Sequence, residues 1–217
     1  MAGADHPTEI RIVPANHASW EDLQAIFGTR GDPARCQCQH YKVLAGTWRS
    51  IPVEERAFRL RDQTDCGHPE SPDTSGLVAY LGGDPAGWCA VEPRINYQRL
   101  QVMPLPWKGR SEDMTDPGVW AVTCFVIRAG YRKRGISRAL TAATVGFARS
   151  RGARALEGYS MITSSEKDIT WGELHVGARN SYAAAGFREV VQPSKRRVVM
   201  RIDFDTETHL RPDGSSD

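Results

Sequence analysis

Apolar positions recur along this chain with two periods, and the switches between them mark out its elements. Residues 8–15, TEIRIVPA, set Ile10 and Ile12 between polar neighbours and end at Pro14, which predicts a first strand. HASWEDLQAIFG then puts Leu23, Ile26 and Phe27 on one helix face, with Ser19 as N-cap, Asp22 three residues on and Gly28 at the close. Residues 29–50 show no period and read as irregular. A second helix is expected over 52–65, where Pro52 suits a first turn.

SGLVAYLGGDPAGWCAVEPR (75–94) has two apolar runs flanking Gly82-Gly83-Asp84-Pro85, the pattern of a hairpin. Residues 94–118 carry three prolines and mixed charge and read as a long loop, a kind of segment that is usually functional or disordered. VWAVTCFVI (119–127) is apolar on both faces, as a central buried strand should be. After the basic stretch YRKRGISRAL (131–140), helical spacing links Ile136, Ala139, Leu140, Ala143 and Phe147 as far as Gly152. A strand (ARALEGYSMI), a short helix (GARNSYAAAG) and two closing strands (FREVVQ, RRVVMRIDF) follow, then a tail over 205–217 expected to be disordered. The order β-α-α-β-β-β-α-β-α-β-β predicts a mixed α/β domain with one central sheet over 1–204.

Composition narrows the function. The chain has 217 residues, 40% apolar and 25% charged, within the range of one soluble globular domain with insertions. Its formal net charge of +2 falls short of a dedicated nucleic-acid binder, so the basic run near Gly135 needs a local explanation. No run of about 18 apolar residues suggests a membrane span, and the N-terminus lacks the pattern of a signal peptide. Five cysteines without a disulfide-framework spacing point to a reducing cytoplasm.

A strand that ends in a glycine turn and opens a helix creates an anion site. The first N–H groups of the helix have no partner, and its dipole favours negative charge there. Gly135 would let the backbone approach a phosphate without a Cβ, and Lys133 and Arg138 would add charge. The turn taken alone also fits a basic helix entry with no ligand.

The run VWAVTCFVIRAGYRKRGISRAL resembles motif A of the GNAT N-acetyltransferase superfamily, in which a strand leads into Arg/Gln-x-x-Gly-x-Gly/Ala. Arg132, Lys133, Arg134, Gly135, Ile136 and Ser137 fit it, with Ser137 in place of the usual Gly or Ala. SYAAAGF (181–187) resembles the later family segment Tyr-x-x-x-Gly-Phe, and His175 stands where an Asn often precedes that Tyr by seven residues. The element order is similar to the family's from residue 9 to about 204.

This resemblance implies a GNAT-type acyl-CoA N-acyltransferase fold, a central and largely antiparallel sheet flanked by helices. It implies acetyl-CoA as co-substrate, an amine-bearing acceptor and a homodimer as a common assembly, with no nucleic-acid or membrane partner. The pyrophosphate would lie against Arg132, Lys133, Arg134, Gly135, Ile136, Ser137 and Arg138, and the backbone of Phe125, Val126 and Ile127 would hold the pantetheine arm. Tyr182 matches the usual general acid, a phenol protonated at neutral pH. Glu157 is the first candidate for general base and Glu92 the second, with Glu173 and His175 behind them.

CQCQHY sets Cys36, Cys38 and His40 at alternate positions, but no second ligand pair follows to complete a zinc site. By the resemblance this segment belongs to the acceptor pocket, and Trp107 would cap the substrate or pack a lid. Two other classes remain open at this point: a GNAT fold that senses acetyl-CoA without turnover, and a nucleic-acid module using the basic cluster.

Overall fold

The computed structural model describes residues 9–163 and 171–204, the side chain of Trp171 excepted. The expected disordered tail lies outside them. Seven strands form one sheet in the order β1-β2-β3-β4-β5-β7-β6. These are β1 (Ile10–Pro14), β2 (Leu77–Leu81), β3 (Asp84–Pro93), β4 (Val119–Ile127), β5 (Ala155–Met161), β6 (Arg188–Ser194) and β7 (Arg197–Asp203). All neighbours pair antiparallel except β4 and β5, which run parallel. The mixed α/β expectation holds, and β4 is the middle strand.

Helix α1 (Trp20–Phe27) starts where its capping chemistry directs: the Ser19 side chain accepts from the Asp22 N–H at 3.0 Å, and Gly28 at φ 71° ends it. Segment 29–50 is not wholly irregular, since it contains α2 (Gly31–Cys36) and α3 (Ala45–Trp48) before α4 (Val53–Thr64). Nor is 94–118 a plain loop. It holds a 3₁₀ turn and the short helices α5 (Gln98–Val102) and α6 (Pro104–Trp107), pinned by the buried Tyr97, Leu100 and Trp107. Trp107 donates from Nε1 to the Leu100 carbonyl at 2.6 Å and lies between the guanidinium groups of Arg94 and Arg110, each 4.9 Å from its ring centre. It packs this segment and does not cap a pocket.

On one face of the sheet lies α7 (Ile136–Ser150), whose Ile136, Leu140, Phe147 and Ala148 are buried in the core with Trp120, Val122 and Phe125 of β4. Helix α9 (Arg179–Ala184) joins this face through Tyr182. On the other face α1 packs onto Trp88, Ala90, Cys124 and Val126. One irregularity in β4 makes this division possible. Ala90 pairs with Cys124 but Val91 with Val122, so Thr123 is an extra residue and the strand bulges there. Before it, even-numbered side chains face α7; after it, odd-numbered ones do.

Candidate active site

The parallel ladder between β4 and β5 is short. It runs from Val119–Ala155 to Val122–Gly158 and stops, although β4 continues to Ile127 and β5 to Met161. The strands part there, and residues 175–178 span the gap. Phe125 donates its N–H to the His175 carbonyl at 2.6 Å, and Met161 donates to the Gly177 carbonyl at 2.9 Å. The short helix α8 (Trp171–Leu174) leads into this crossing.

The three β4 residues expected to face the pantetheine arm do not face alike. The Arg128 N–H donates to the Ala86 carbonyl of β3, which sets the alternation of the antiparallel pair. By that alternation Phe125 and Ile127 turn their backbone groups into the gap, whereas Val126 turns its own toward β3. The Val126 side chain lines a cavity on the α1 face instead.

At the far end of β4 the chain turns into α7 through residues 128–135. Tyr131 donates to Asp84 Oδ2 at 2.8 Å and Arg128 to the Pro85 carbonyl at 3.1 Å, which ties the turn to the β2–β3 hairpin. Lys133 (φ 61°) and Gly135 (φ 79°) are both left-handed. The first bond within α7 is from the Ala139 N–H to the Gly135 carbonyl, and no side chain caps the helix. The N–H groups of Ile136, Ser137 and Arg138 therefore have no partner among the described residues. Arg132, Lys133, Arg134 and Arg138 are exposed around them, and none pairs with a carboxylate among the described residues. A Cβ on Gly135 would meet nothing within 4 Å, so the glycine is required here by backbone conformation rather than by space.

Tyr182 is fully buried at the point where the strands part. Its hydroxyl donates to the Val176 carbonyl at 3.0 Å, and its ring packs edge-on against Phe125 and Phe187. A Cβ on Gly158 would come within 2.8 Å of the hydroxyl oxygen, so the phenol rests directly on β5. Burial raises its pKa well above the ordinary tyrosine value.

Glu157 stands one residue before that point, also fully buried, and its oxygens are taken. Arg94 donates at 3.1 Å, Arg201 at 2.8 Å, Arg110 by a further contact, and the Tyr159 hydroxyl at 3.2 Å. The side chain is the centre of an ion-pair cluster that joins β5, β7 and the 94–118 segment. Glu92 is likewise committed, paired with Lys42 at 2.5 Å and accepting from Ser75 and Asn96.

The α1-face cavity, of about 440 Å³, opens against β4 at Cys124 and Val126. Cys36, Cys38, His40 and Tyr41 line it from the chain between α2 and α3, and His175 lines it from the crossing loop. His175 Nδ1 lies 2.6 Å from the Gly172 carbonyl, which only accepts, so this nitrogen carries the proton. Nε2 is then the acceptor, 3.4 Å from the Tyr41 hydroxyl. Burial lowers the pKa of His175. It also brings His40 down to about 4, assisted by the charges of Arg99 and His175. From the sequence His175 stands with Glu173 behind Glu157 and Glu92 as a base candidate. Its nearness to Tyr41, 134 residues away, is a tertiary fact.

The sequence model of the acetyltransferase (GNAT) family matches residues 39–160, more than half of the chain. The chain belongs to the GNAT acetyltransferase family. The match takes in β2 to β5 and the α7 turn, while His175 and Tyr182 lie beyond it. No curated protein matches the sequence significantly. Among solved structures, the chain is similar to an acetyltransferase at 20% identity and TM-score 0.51, over 91% of this chain and 100% of the other. It is also similar to yncA of Salmonella typhimurium, solved with acetyl-CoA (15% identity, 95% and 99% of the chains, TM-score 0.47). A third is the paia N-acetyltransferase of Thermoplasma acidophilum, solved with coenzyme A (12% identity, 90% and 99%, TM-score 0.46). At these identities the likeness is one of fold.

Proposed function

We propose that this GNAT protein is an N-acetyltransferase that moves an acetyl group from acetyl-CoA to a primary amine. One observation carries the reading: the uncapped start of α7, ringed by basic residues that pair with no carboxylate among the described residues, follows the same strand whose backbone opens into the β4–β5 gap. A pyrophosphate fits the first feature in charge and in backbone approach. A thin, hydrogen-bonding arm fits the second.

In this reading Arg132, Lys133, Arg138 and the N–H groups at 136–138 hold the phosphates, and the Phe125 carbonyl and the Ile127 backbone orient the arm, the Phe125 N–H being given to His175. Acetyl-CoA supplies the thioester, whose carbonyl carbon the amine attacks as the C–S bond breaks. The proton released from the amine goes to His175 Nε2, which is neutral and reaches the cavity. Glu157 and Glu92 are not proposed for this step, because their oxygens are engaged by cations. Tyr182 gives its hydroxyl hydrogen bond to the sulfur as negative charge develops there, turning from the Val176 carbonyl.

Calorimetric titration with acetyl-CoA at two salt concentrations, followed by a thiol-release assay with amines, tests the reading. Stoichiometric binding weakened by salt, together with amine-dependent thiol release, is the expected result. Binding without release to any amine would mark a sensor of acetyl-CoA, and no binding by folded protein would overturn the proposal.

A further inference from the structure

The acceptor-side cavity contains a positive charge that the described chain does not balance. Arg56 of α4 forms part of its wall and is 8% exposed. Its Nη1 and Nη2 donate to the carbonyls of Arg35 and Trp48, both at 2.7 Å, and its guanidinium lies 3.8 Å from the centre of the Trp48 ring. These partners are neutral, and Nε–H has no acceptor among the described residues. The only carboxylate lining the cavity among the described residues is Asp32, which is largely exposed and bound to Arg35 at 2.6 Å.

Carbonyl groups satisfy the geometry of a guanidinium but leave its charge uncompensated in a poorly solvated place. An anion brought by a ligand would be held by charge-assisted hydrogen bonds of about twice ordinary strength. Apart from the exposed Arg35–Asp32 pair the wall is largely apolar or aromatic, with Phe27, Trp48, Cys124 and Val126, and burial lowers the pKa of the two histidines that line it. A simple alkylammonium finds there only the exposed Asp32, already bound to Arg35, and meets Arg56. The volume of about 440 Å³ suits one small ring-bearing molecule.

We propose that the acceptor is an amino-carboxylate with an aromatic body, its carboxylate directed to Arg56 and its amine to His175. This rests on the acetyl-transfer reading above and names the substrate class of the same site.

The test compares matched pairs in the thiol-release assay: L-phenylalanine against phenethylamine, and 4-aminobenzoate against aniline, with cadaverine as a cationic control. A hydrogen bond to a charged group predicts that at least one carboxylated member exceeds its partner in kcat/KM by about 10- to 100-fold. Calorimetry without acetyl-CoA should likewise show that member binding and its partner not. Arg56→Gln should shrink the ratio toward one, while Arg56→Lys retains part of it, with melting curves reporting the loss of the two carbonyl contacts. Ratios of one or below in both wild-type pairs, or cadaverine as the best acceptor, would overturn the proposal even if the Gln variant fails to fold. Acetyl-CoA binding with no turnover of any probe also overturns it and leaves the coenzyme site standing. Absence of acetyl-CoA binding removes the underlying reading instead.

Discussion

The N–H of Phe125 donates to the carbonyl of His175 at 2.6 Å, so the middle strand and the loop bearing the proposed base are joined through their backbones. The imidazole is thereby set against β4 at the level where β5 has already departed. The joint depends on the small residue two positions further on. A Cβ on Gly177 would come to 2.8 Å from the Phe125 ring and 2.9 Å from the Tyr182 ring, at a φ of 83°.

Gly177→Ala therefore combines overpacking with left-handed strain and should lower stability by about 2–4 kcal/mol. Denaturant unfolding measures this. A loss below about 0.5 kcal/mol would mean that the crossing yields freely and does not hold His175 in register.

Tyr182→Phe removes one hydrogen bond to a carbonyl, a stability cost of about 1 kcal/mol. If the hydroxyl serves the leaving sulfur, single-turnover acetyl transfer should fall by about 10²–10⁴. Affinity for acetyl-CoA, read by calorimetry, should change little. Equal turnover in the two proteins would reduce Tyr182 to packing.

Glu157→Gln should behave in the opposite sense. Loss of the carboxylate leaves the buried Arg94 and Arg110, with Arg201, sharing the half-buried Glu112 as their remaining anion, at a cost of about 3 kcal/mol. Unfolding midpoints should drop sharply, while turnover per folded molecule falls less than in His175→Gln. The reverse ranking would restore Glu157 as a base.

Acid should weaken the fold through His40. Its pKa is about 4 in the folded protein against an ordinary 6.5, so the unfolded chain takes up the proton more readily between those values. Stability from this group is complete above about pH 6.5 and declines as pH falls toward 4. His40→Gln should flatten that limb of a thermal-melt series. Burial also depresses His175, so the acid limb of kcat/KM should lie below pH 6.5, and a limb at or above that value would contradict its role.

Gly135→Asp should abolish acetyl-CoA binding while the protein melts within a few degrees of wild type. The added Cβ meets nothing within 4 Å, and Asp tolerates the left-handed φ of 79° better than most residues. The carboxylate, however, would stand where phosphates are expected. Unchanged affinity in calorimetry would refute the cradle.

Much of this architecture is local enough to be legible in the chain. Ser19, Asp22 and Gly28 bound α1 through bonds spanning three or four residues, and the apolar run 119–127 coincides with β4. The four short helices within 29–50 and 94–118 were not legible. Helices of four to six residues show no readable period, and α5 and α6 form because isolated anchors such as Leu100 and Trp107 find burial. The site divides in the same way. The 132–138 turn and Tyr182 are marked by spacing along the chain. His175, Arg56 and the cluster around Glu157 acquire their character from residues 8 to 134 positions away. The alternating CQCQHY pattern is a local sign of the wall of the α1-side cavity.

The extra residue at Thr123 makes β4 a partition with two independently variable sides. Beyond it, Cys124 and Val126 face the α1-side cavity, whereas Phe125 and Ile127 turn their backbones to the gap and their side chains to α7. On the proposed reading, substitutions at the even positions should alter the acceptor side and leave the coenzyme side in place. Deleting one residue here would exchange the two sides and destroy both at once.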